Sequence, residues 1–239
     1  MQALVPAVPV SDHVLALIPA YNESAQIGAV TEAARRFLPV LVVDDGSQDD
    51  TASLARAAGA EVLAQFPNQG KGAALLRGFQ AALQRGVQAV ITLDADGQHD
   101  PAEIPAFLNH FSHARADLII GKRNFRQMPP VRRLSNTLGA ALFSWAAGQP
   151  IADNQSGYRL ISQRLLQVLL QEPGSERGFE FEVDMIVRCI QAGMRLDWIE
   201  IRTIYAGEKS HIRPLRHLAG FLQTCWRTHQ TLRNTSRKA

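Results

Sequence analysis

Five short strand-like runs, separated by segments of helical periodicity, govern what this chain can fold into. They are residues 14–19, 40–44, 61–65, 89–94 and 118–121. Helical patterns fall near 25–36, 51–58 and 71–85, with another starting at Pro101, for which Asp100 is the expected N-cap. Most of the runs are apolar throughout instead of alternating, which marks strands buried on both faces. Strands of that kind interleaved with helices predict an α/β fold, a parallel sheet covered by helices on both sides. The second half is more helical. Helices are expected near 130–147, 162–170 and 182–192, a strand near 195–204, and a last helix near 214–232. No repeat or linker divides the chain. The expected organisation is one domain over 1–213 and a basic amphipathic helix and tail over 214–239.

Two of the runs end in acids. Asp94, Ala95 and Asp96 follow residues 89–93, and Asp44-Asp45-Gly46-Ser47 closes residues 40–43. In an open α/β sheet, ligands bind beyond the carboxyl ends of the strands. Two carboxylates at alternate positions, followed by Gly97 and Gln98, make an oxygen-rich site for a hard divalent cation, Mg²⁺ or Mn²⁺. Asp-Gly-Ser is also ordinary turn chemistry. His99 reads as a surface or capping histidine in preference to a ligand.

Other segments extend the pattern. Pro19-Ala20-Tyr21-Asn22-Glu23 ends the first run, where Asn22 is a possible cap for the next helix. Asn68-Gln69-Gly70-Lys71-Gly72 opens a helix but is neither a Walker A loop nor a GxGxxG fingerprint. Lys71 at a helix N-terminus favours an anion.

Charge is unevenly placed. The chain carries +3 overall, yet residues 202–239 hold eight Lys and Arg against Glu208 alone, a local +7. An anionic partner for that tail is expected. Nucleic acid is not, since no recognition motif accompanies the charge. Cys189 and Cys225 form no CxxC pattern, and the first residues lack a basic signal-peptide start. A reduced, cytoplasmic setting is the expectation. The most apolar stretch, 138–148, is about half the roughly 20 residues of a spanning helix.

Taken together, four ordered motifs resemble the family 2 glycosyltransferases, in the polyprenyl-phosphate sugar synthase branch (dolichyl-phosphate mannosyltransferase-like). The motifs are residues 19–23, 42–51, 68–78 and 94–101; Gly121-Lys122-Arg123, the loop from Asp153 to Arg159, and residues 178–182 agree with them. The resemblance implies a GT-A fold and a metal-dependent, inverting transfer from a nucleotide sugar to a lipid-linked acceptor, a polyprenyl phosphate. Pro19, Tyr21, Glu23, Val43 and Asp45 would hold the nucleoside. Asp94 and Asp96 would hold the diphosphate through the metal, with Gln98 completing its coordination, and Lys71 and Arg123 would meet phosphate.

The resemblance is weaker at acceptor recognition. Where family members carry G-x-S-K after an Arg, this chain reads Gly207-Glu208-Lys209-Ser210, so Arg159, Arg202 and Lys209 are the basic residues expected to serve. A phosphate acceptor needs no general base. A hydroxyl acceptor does, and for it Asp153 is the first expectation and Glu182 the second, with an Asx-turn as the competing reading of Asp153. The last helix, with Leu215, Leu218, Leu222, Cys225 and Trp226 at helical spacing among arginines, either lies on an anionic membrane face or packs on the domain. A soluble acceptor and a catalytically silent nucleotide-sugar-binding adaptor remain alternatives. The donor and the oligomeric state stay open.

Overall fold

The computed structural model describes residues 13–125, 130–171, 181–202 and 214–236. Strand β1 (Val14–Ala20) leads to helix α1 (Ile27–Arg35), β2 (Val40–Asp44), α2 (Thr51–Ala57), β3 (Glu61–Ala64), α3 (Lys71–Gln84) and β4 (Ala89–Thr92). A 3₁₀ turn at Pro101–Glu103 enters α4 (Ile104–Ala114), followed by β5 (Leu118–Arg123) and α5 (Pro130–Ala147). The chain continues through β6 (Arg159–Ser162), α6 (Gln163–Gln171), α7 (Phe181–Gln191), β7 (Leu196–Ile201) and α8 (Pro214–Ser236). The Asp100 carboxylate accepts the Ala102 N–H at 3.0 Å and caps the 3₁₀ turn, as the sequence predicts.

The strands form one sheet in the order β3-β2-β1-β4-β6-β5-β7. All neighbours are parallel except β6, which runs antiparallel to both β4 and β5. The mostly parallel α/β expectation therefore holds. The short strand β6 was not foreseen; it fills a stretch read as the boundary between a loop and a helix. Only four residues long, with Arg159 and Ser162 at its ends, it lacks the apolar continuity that marked the others.

Side chains alternate across the sheet into two cores. Leu15, Leu17, Leu41, Val43, Val90, Leu118 and Ile161 face α3, α5, α6 and α7, while Ala16, Ile18, Val40, Val42, Ile91 and Leu160 face α1 and α4. Burial of both faces explains why these strands read as unbroken apolar runs. Helix α8 is part of this packing. Cys225 and Leu232 are buried in the first core with Phe221 against it, and Trp145 of α5 stacks on His229 with ring centroids 4.6 Å apart. The helix is thus joined to the domain and does not form a detached tail.

The register aligns the acidic strand ends. Ala20 pairs with Asp44 and Leu17 with Thr92, so Asp45 and Asp94 emerge at the same edge. Because β6 is reversed, Arg159 at its amino end pairs with Thr92 and Ile120. The loop before β6 therefore reaches the edge where β1, β2, β4 and β5 end.

Candidate active site

A cleft of about 550 Å³ opens along that edge, within the range of small-molecule sites. Its walls come from the segments after β1, β2, β4 and β5, from the start of α3, and from the loop before β6.

The first wall is a pair of interlocked loops. Asn22, with φ +55°, accepts the Gln48 N–H at 2.8 Å through Oδ1, and its own N–H donates to Ser47 Oγ at 2.9 Å. The Glu23 N–H donates to Thr51 Oγ1 at 2.8 Å. Asn22 therefore staples the β1 loop to the β2 loop and does not cap α1, whose N-cap is Gln26. This clamp leaves Tyr21 exposed at the rim, with Pro19 and Glu23 beside it.

Asp45 organises the second wall. Its Oδ1 accepts the Gln69 N–H at 2.8 Å and the Gln65 side-chain amide, and its Oδ2 accepts the Gly70 N–H at 2.7 Å. A single carboxylate thus holds the loop that delivers Lys71 to the start of α3. The turn needs Gly46: its φ is +79°, and a Cβ there would lie 3.1 Å from the Asn68 nitrogen. Asp45 stays in contact with the cleft. Val43 does not; its side chain is fully buried in the core, as an inward position on a doubly covered strand requires, and adds no surface to the cleft.

The centre is charged. Lys71 Nζ lies 2.6 Å from Asp94 Oδ1 and 2.9 Å from Glu182 Oε1. Burial alone would push the Lys71 pKa down, but the two carboxylates outweigh it and hold the ammonium above its ordinary range. Burial likewise opposes ionisation of Asp94, yet Lys71 more than offsets it and holds the carboxyl at about 2. Lys71 was expected to greet an anion directly; here it bridges two carboxylates instead. Glu182, the second base expectation, is buried and gives one oxygen to that bridge.

His99 is buried as well, and its Nδ1 accepts the Asp94 N–H at 3.0 Å. Burial pushes its pKa down to about 4, so at neutral pH the 3.7 Å approach of Nε2 to Asp94 Oδ2 is not an ion pair. The surface position expected for His99 is overturned, although it does serve its neighbouring backbone. Asp96 accepts the Gln98 N–H at 2.9 Å, and Asp96 and Gln98 both line the cleft.

No group of three or more His, Cys, Asp or Glu among the described residues could enclose an ion on its own. Two carboxylates beside an open cleft fit a cation shared between protein and ligand phosphates, the usual arrangement for Mg²⁺.

The loop before β6 closes the far side. Asp153 is almost fully buried and takes Arg123 in a two-pronged pair, at 2.7 Å from Nε and 2.9 Å from Nη2. Its Oδ1 also accepts the N–H groups of Gln155 and Ser156 at 3.1 and 3.2 Å. That is the Asx-turn reading. With its oxygens committed to Arg123 and the loop backbone, Asp153 does not stand in the cleft as a base, whereas Arg123 does line it.

Arg159 is also corrected. It is fully buried and donates from Nε to the Ser156 carbonyl at 2.7 Å, from Nη2 to the Asn154 carbonyl at 3.2 Å, and from Nη1 to the Glu182 carbonyl. Burial lowers its pKa to about 10, still charged at neutral pH. It pins the loop to the start of α7 and is not offered to a ligand phosphate. Arg202 is exposed beyond β7 and does not line the cleft, though Ile201 beside it does. Lys209 and the rest of its motif lie outside the described residues, as do residues 178–180.

Several lining residues had no assigned role. Gln155, Ser156 and Gly157 belong to a motif whose signal is visible in the sequence; buried Gln65, which does not line the cleft but ties down Asp45, carries no such signal. Gly157 is a close-approach position: a Cβ there would meet Asp94 Oδ2 and Lys71 Nζ at 3.0 Å each.

A second surface lies on α5 and α8. Leu134, Leu138 and Trp145 on one helix and Leu222 and Trp226 on the other are exposed, with Arg133, Arg227 and Arg233 exposed on the same helices. The side chains of Leu215, Arg216 and Leu218 lie outside the described residues. No helix among the described residues is long and apolar enough to cross a membrane.

With this geometry in hand, likeness to known proteins is informative. The profile of glycosyl transferase family 2 matches residues 16–183. The undecaprenyl-phosphate mannosyltransferase of Micrococcus luteus is 32% identical over 200 residues, covering 77% of this chain and 80% of that protein. The polyprenol monophosphomannose synthase of Mycolicibacterium smegmatis is 30% identical over 197 residues, covering 77% and 74%. Among solved structures, glucosyl-3-phosphoglycerate synthase of Mycobacterium tuberculosis in complex with phosphoglyceric acid superposes with a TM-score of 0.70 at 22% identity, over 92% of this chain and 83% of that one. The same enzyme in complex with Mn²⁺ and UDP-glucose gives 0.68 at 21% identity, over 90% and 82%. The fold is therefore the GT-A fold of these enzymes, and the chain belongs to glycosyl transferase family 2 and is a glycosyltransferase.

Proposed function

We propose that this enzyme moves a sugar, with inversion at the anomeric carbon, from a nucleoside diphosphate to a lipid-linked phosphate, a polyprenyl phosphate. The observation that carries the reading is the meeting of Tyr21, Asp45, Asp94, Asp96, Gln98 and Arg123 in one cleft at the carboxyl edge of the sheet. The nucleoside would lie between Tyr21, Pro19 and Glu23, above the loop that Asp45 secures. Asp94, Asp96 and Gln98 would hold Mg²⁺ or Mn²⁺. When bound, such an ion neutralises charge on the departing diphosphate as a Lewis acid.

The chain's own residues do the rest. Lys71 sets the position of Asp94, and Asp153 sets the guanidinium of Arg123, so that neither charge must be ordered when the donor arrives. A phosphate acceptor is ionised at neutral pH and attacks without a general base. This accords with a site whose two expected bases, Asp153 and Glu182, are engaged in ion pairs.

The lipid acceptor is supported by the relatives' names and by the apolar face of α5 and α8 with its arginines. Interfacial binding needs apolar burial together with attraction to anionic lipid. We place the enzyme at the inner face of the membrane on that ground.

The test is a transfer assay with Mn²⁺, UDP-glucose or GDP-mannose, and either a polyprenyl phosphate or a water-soluble phosphate ester. Transfer to the polyprenyl phosphate alone is expected, and Asp96→Ala should abolish it with the fold intact. Transfer only to the soluble ester, or wild-type turnover by Asp96→Ala at saturating donor, would overturn the reading.

A further inference from the structure

Lys71 occupies one of the two carboxylates on which a divalent ion in the cleft would depend. Its ammonium lies 2.6 Å from Asp94 Oδ1, and both residues line the cleft. The ammonium is tied a second time, to Oε1 of buried Glu182 on α7, at 2.9 Å. Gly157 packs against the pair so closely that a Cβ there would lie 3.0 Å from Lys71 Nζ and from Asp94 Oδ2. Lys71 itself starts α3, and the two residues before it are secured by Asp45. Three segments of chain, at α3, α7 and the loop before β6, thus keep one positive charge against the end of β4.

That charge limits what the acids can hold. Of Asp94, Asp96 and Glu182, only the first two line the cleft, and Lys71 offsets one charge among the three. Arg123 is matched by Asp153, and His99, with a pKa of about 4, is neutral at neutral pH. A hard dication takes a shell of several oxygens, and the described residues hold no group of three acids that could enclose one. Repulsion between an ammonium and a dication that share one carboxylate weakens binding about tenfold even at the dielectric constant of water. A nucleoside diphosphate reverses the balance. Its phosphates bring both the missing oxygens and the negative charge that an ion and an ammonium side by side require.

We infer that Lys71 is a resident counter-charge that keeps the divalent ion out of the acidic strand end until a nucleoside diphosphate arrives. This rests on the donor-binding reading above. Glu182 is then the tether that holds Lys71 in that post, and not the proton acceptor expected from the sequence. Metal and nucleotide enter as one unit, because neither the protein alone nor the ion alone supplies a balanced site.

The experiment is a Mn²⁺ titration followed by electron paramagnetic resonance of the free ion, with and without UDP or GDP. The proteins are the parent, Lys71→Met, Lys71→Arg and the double variant Lys71→Met/Glu182→Gln. The parent should bind Mn²⁺ weakly alone and far more tightly with the nucleotide it accepts. Lys71→Met should bind Mn²⁺ alone about tenfold more tightly than the parent, or better. Lys71→Arg, which keeps the charge, should behave as the parent does. The gain from added nucleotide should shrink in Lys71→Met, and by linkage the nucleotide should gain equally less from Mn²⁺. A loosened fold loses ligand affinity, so tighter Mn²⁺ binding separates this role from a structural one. Removing the ammonium strands Glu182, and the double variant deletes that charge as well; it decides the matter if Lys71→Met does not fold. The tighter binding should persist there. Unchanged or weaker Mn²⁺ binding in both variants refutes the inference, and so does a gain that vanishes in the double variant, which would make Glu182 a new ligand. A parent that binds Mn²⁺ equally well with and without nucleotide also refutes it while leaving the donor reading standing. A parent that binds no Mn²⁺ with either nucleotide refutes the donor reading, and this inference falls with it.

Discussion

Replacing Arg159 separates a structural role from a ligand-binding one. The guanidinium is fully buried and supplies three hydrogen bonds to main-chain carbonyls on two segments. Arg159→Met keeps most of the stem and deletes every donor. Each stranded carbonyl costs about 1–3 kcal/mol, and the neighbouring carboxylates of Asp153, Glu182 and Asp94 lose a counter-charge. Removing one partner of a buried charged network costs about 3–5 kcal/mol in total. For a chain of 239 residues that corresponds to a fall in Tm of roughly 6–20 °C. Arg159→Lys, which retains charge and some of the bonding, should fall between the two. Scanning calorimetry on the three proteins measures this. A Met variant that melts within about 2 °C of the parent while its KM for acceptor rises would refute the reasoning and return Arg159 to the ligand.

Three further outcomes are expected. Asp45→Ala should weaken nucleoside diphosphate binding about tenfold, because the loop from Gln65 to Gly70 loses its anchor; an unchanged Kd by titration would count against it. His99 is held neutral in the fold down to about pH 4, against about 6.5 when unfolded, so the unfolded chain binds the extra proton and stability falls as pH drops between those values. The loss is about 3 kcal/mol, and urea midpoints should show it in the parent and not in His99→Asn, whereas Asp94, held at about 2, gives up its share only below about pH 4. Trp226→Ala combined with Arg227→Glu should release the protein from anionic vesicles while sparing nucleotide binding. Equal pelleting of parent and variant, or a parent that never pellets, would remove α8 from any membrane contact.

The architecture was readable wherever burial left a periodic mark. Strands β1, β2 and β4 are covered on both faces and announce themselves as unbroken apolar runs, and Pro130 and Ala147 bound α5 where helical spacing put them. The acidic strand ends were visible for the same reason: a carboxylate closing an apolar run is a sharp change of character. Pairings across the chain left no such mark. Nothing in the spacing of Arg159 distinguishes a guanidinium aimed at a ligand from one buried against carbonyls. Nor could Asp153 be told from a base before Arg123 was seen locked to it, or Val43 from a cleft residue before its inward register was known. His99 looked like a surface group because its burial depends on packing against Tyr158, 59 positions away, with ring centroids 5.0 Å apart.

The reversed strand β6 has a consequence for how such a site can diversify. A parallel strand delivers to the cleft only the loop at its carboxyl end, so the loops after β1, β2 and β4 descend from one contiguous stretch of chain. The antiparallel strand delivers the loop at its amino end. Gln155, Ser156 and Gly157 therefore enter from a segment distant in sequence from the first stretch, held to it where Thr92 Oγ1 donates to the Gly157 carbonyl at 2.7 Å. Two segments far apart in the sequence meet across one groove. A side chain added at Gly157 would press on Asp94 and Lys71, and Asp153 of the same loop holds Arg123, so the two segments must change together. A graft of that loop between relatives must therefore carry the guanidinium beneath it and meet the same Asp94, Lys71 and Arg123 across the groove.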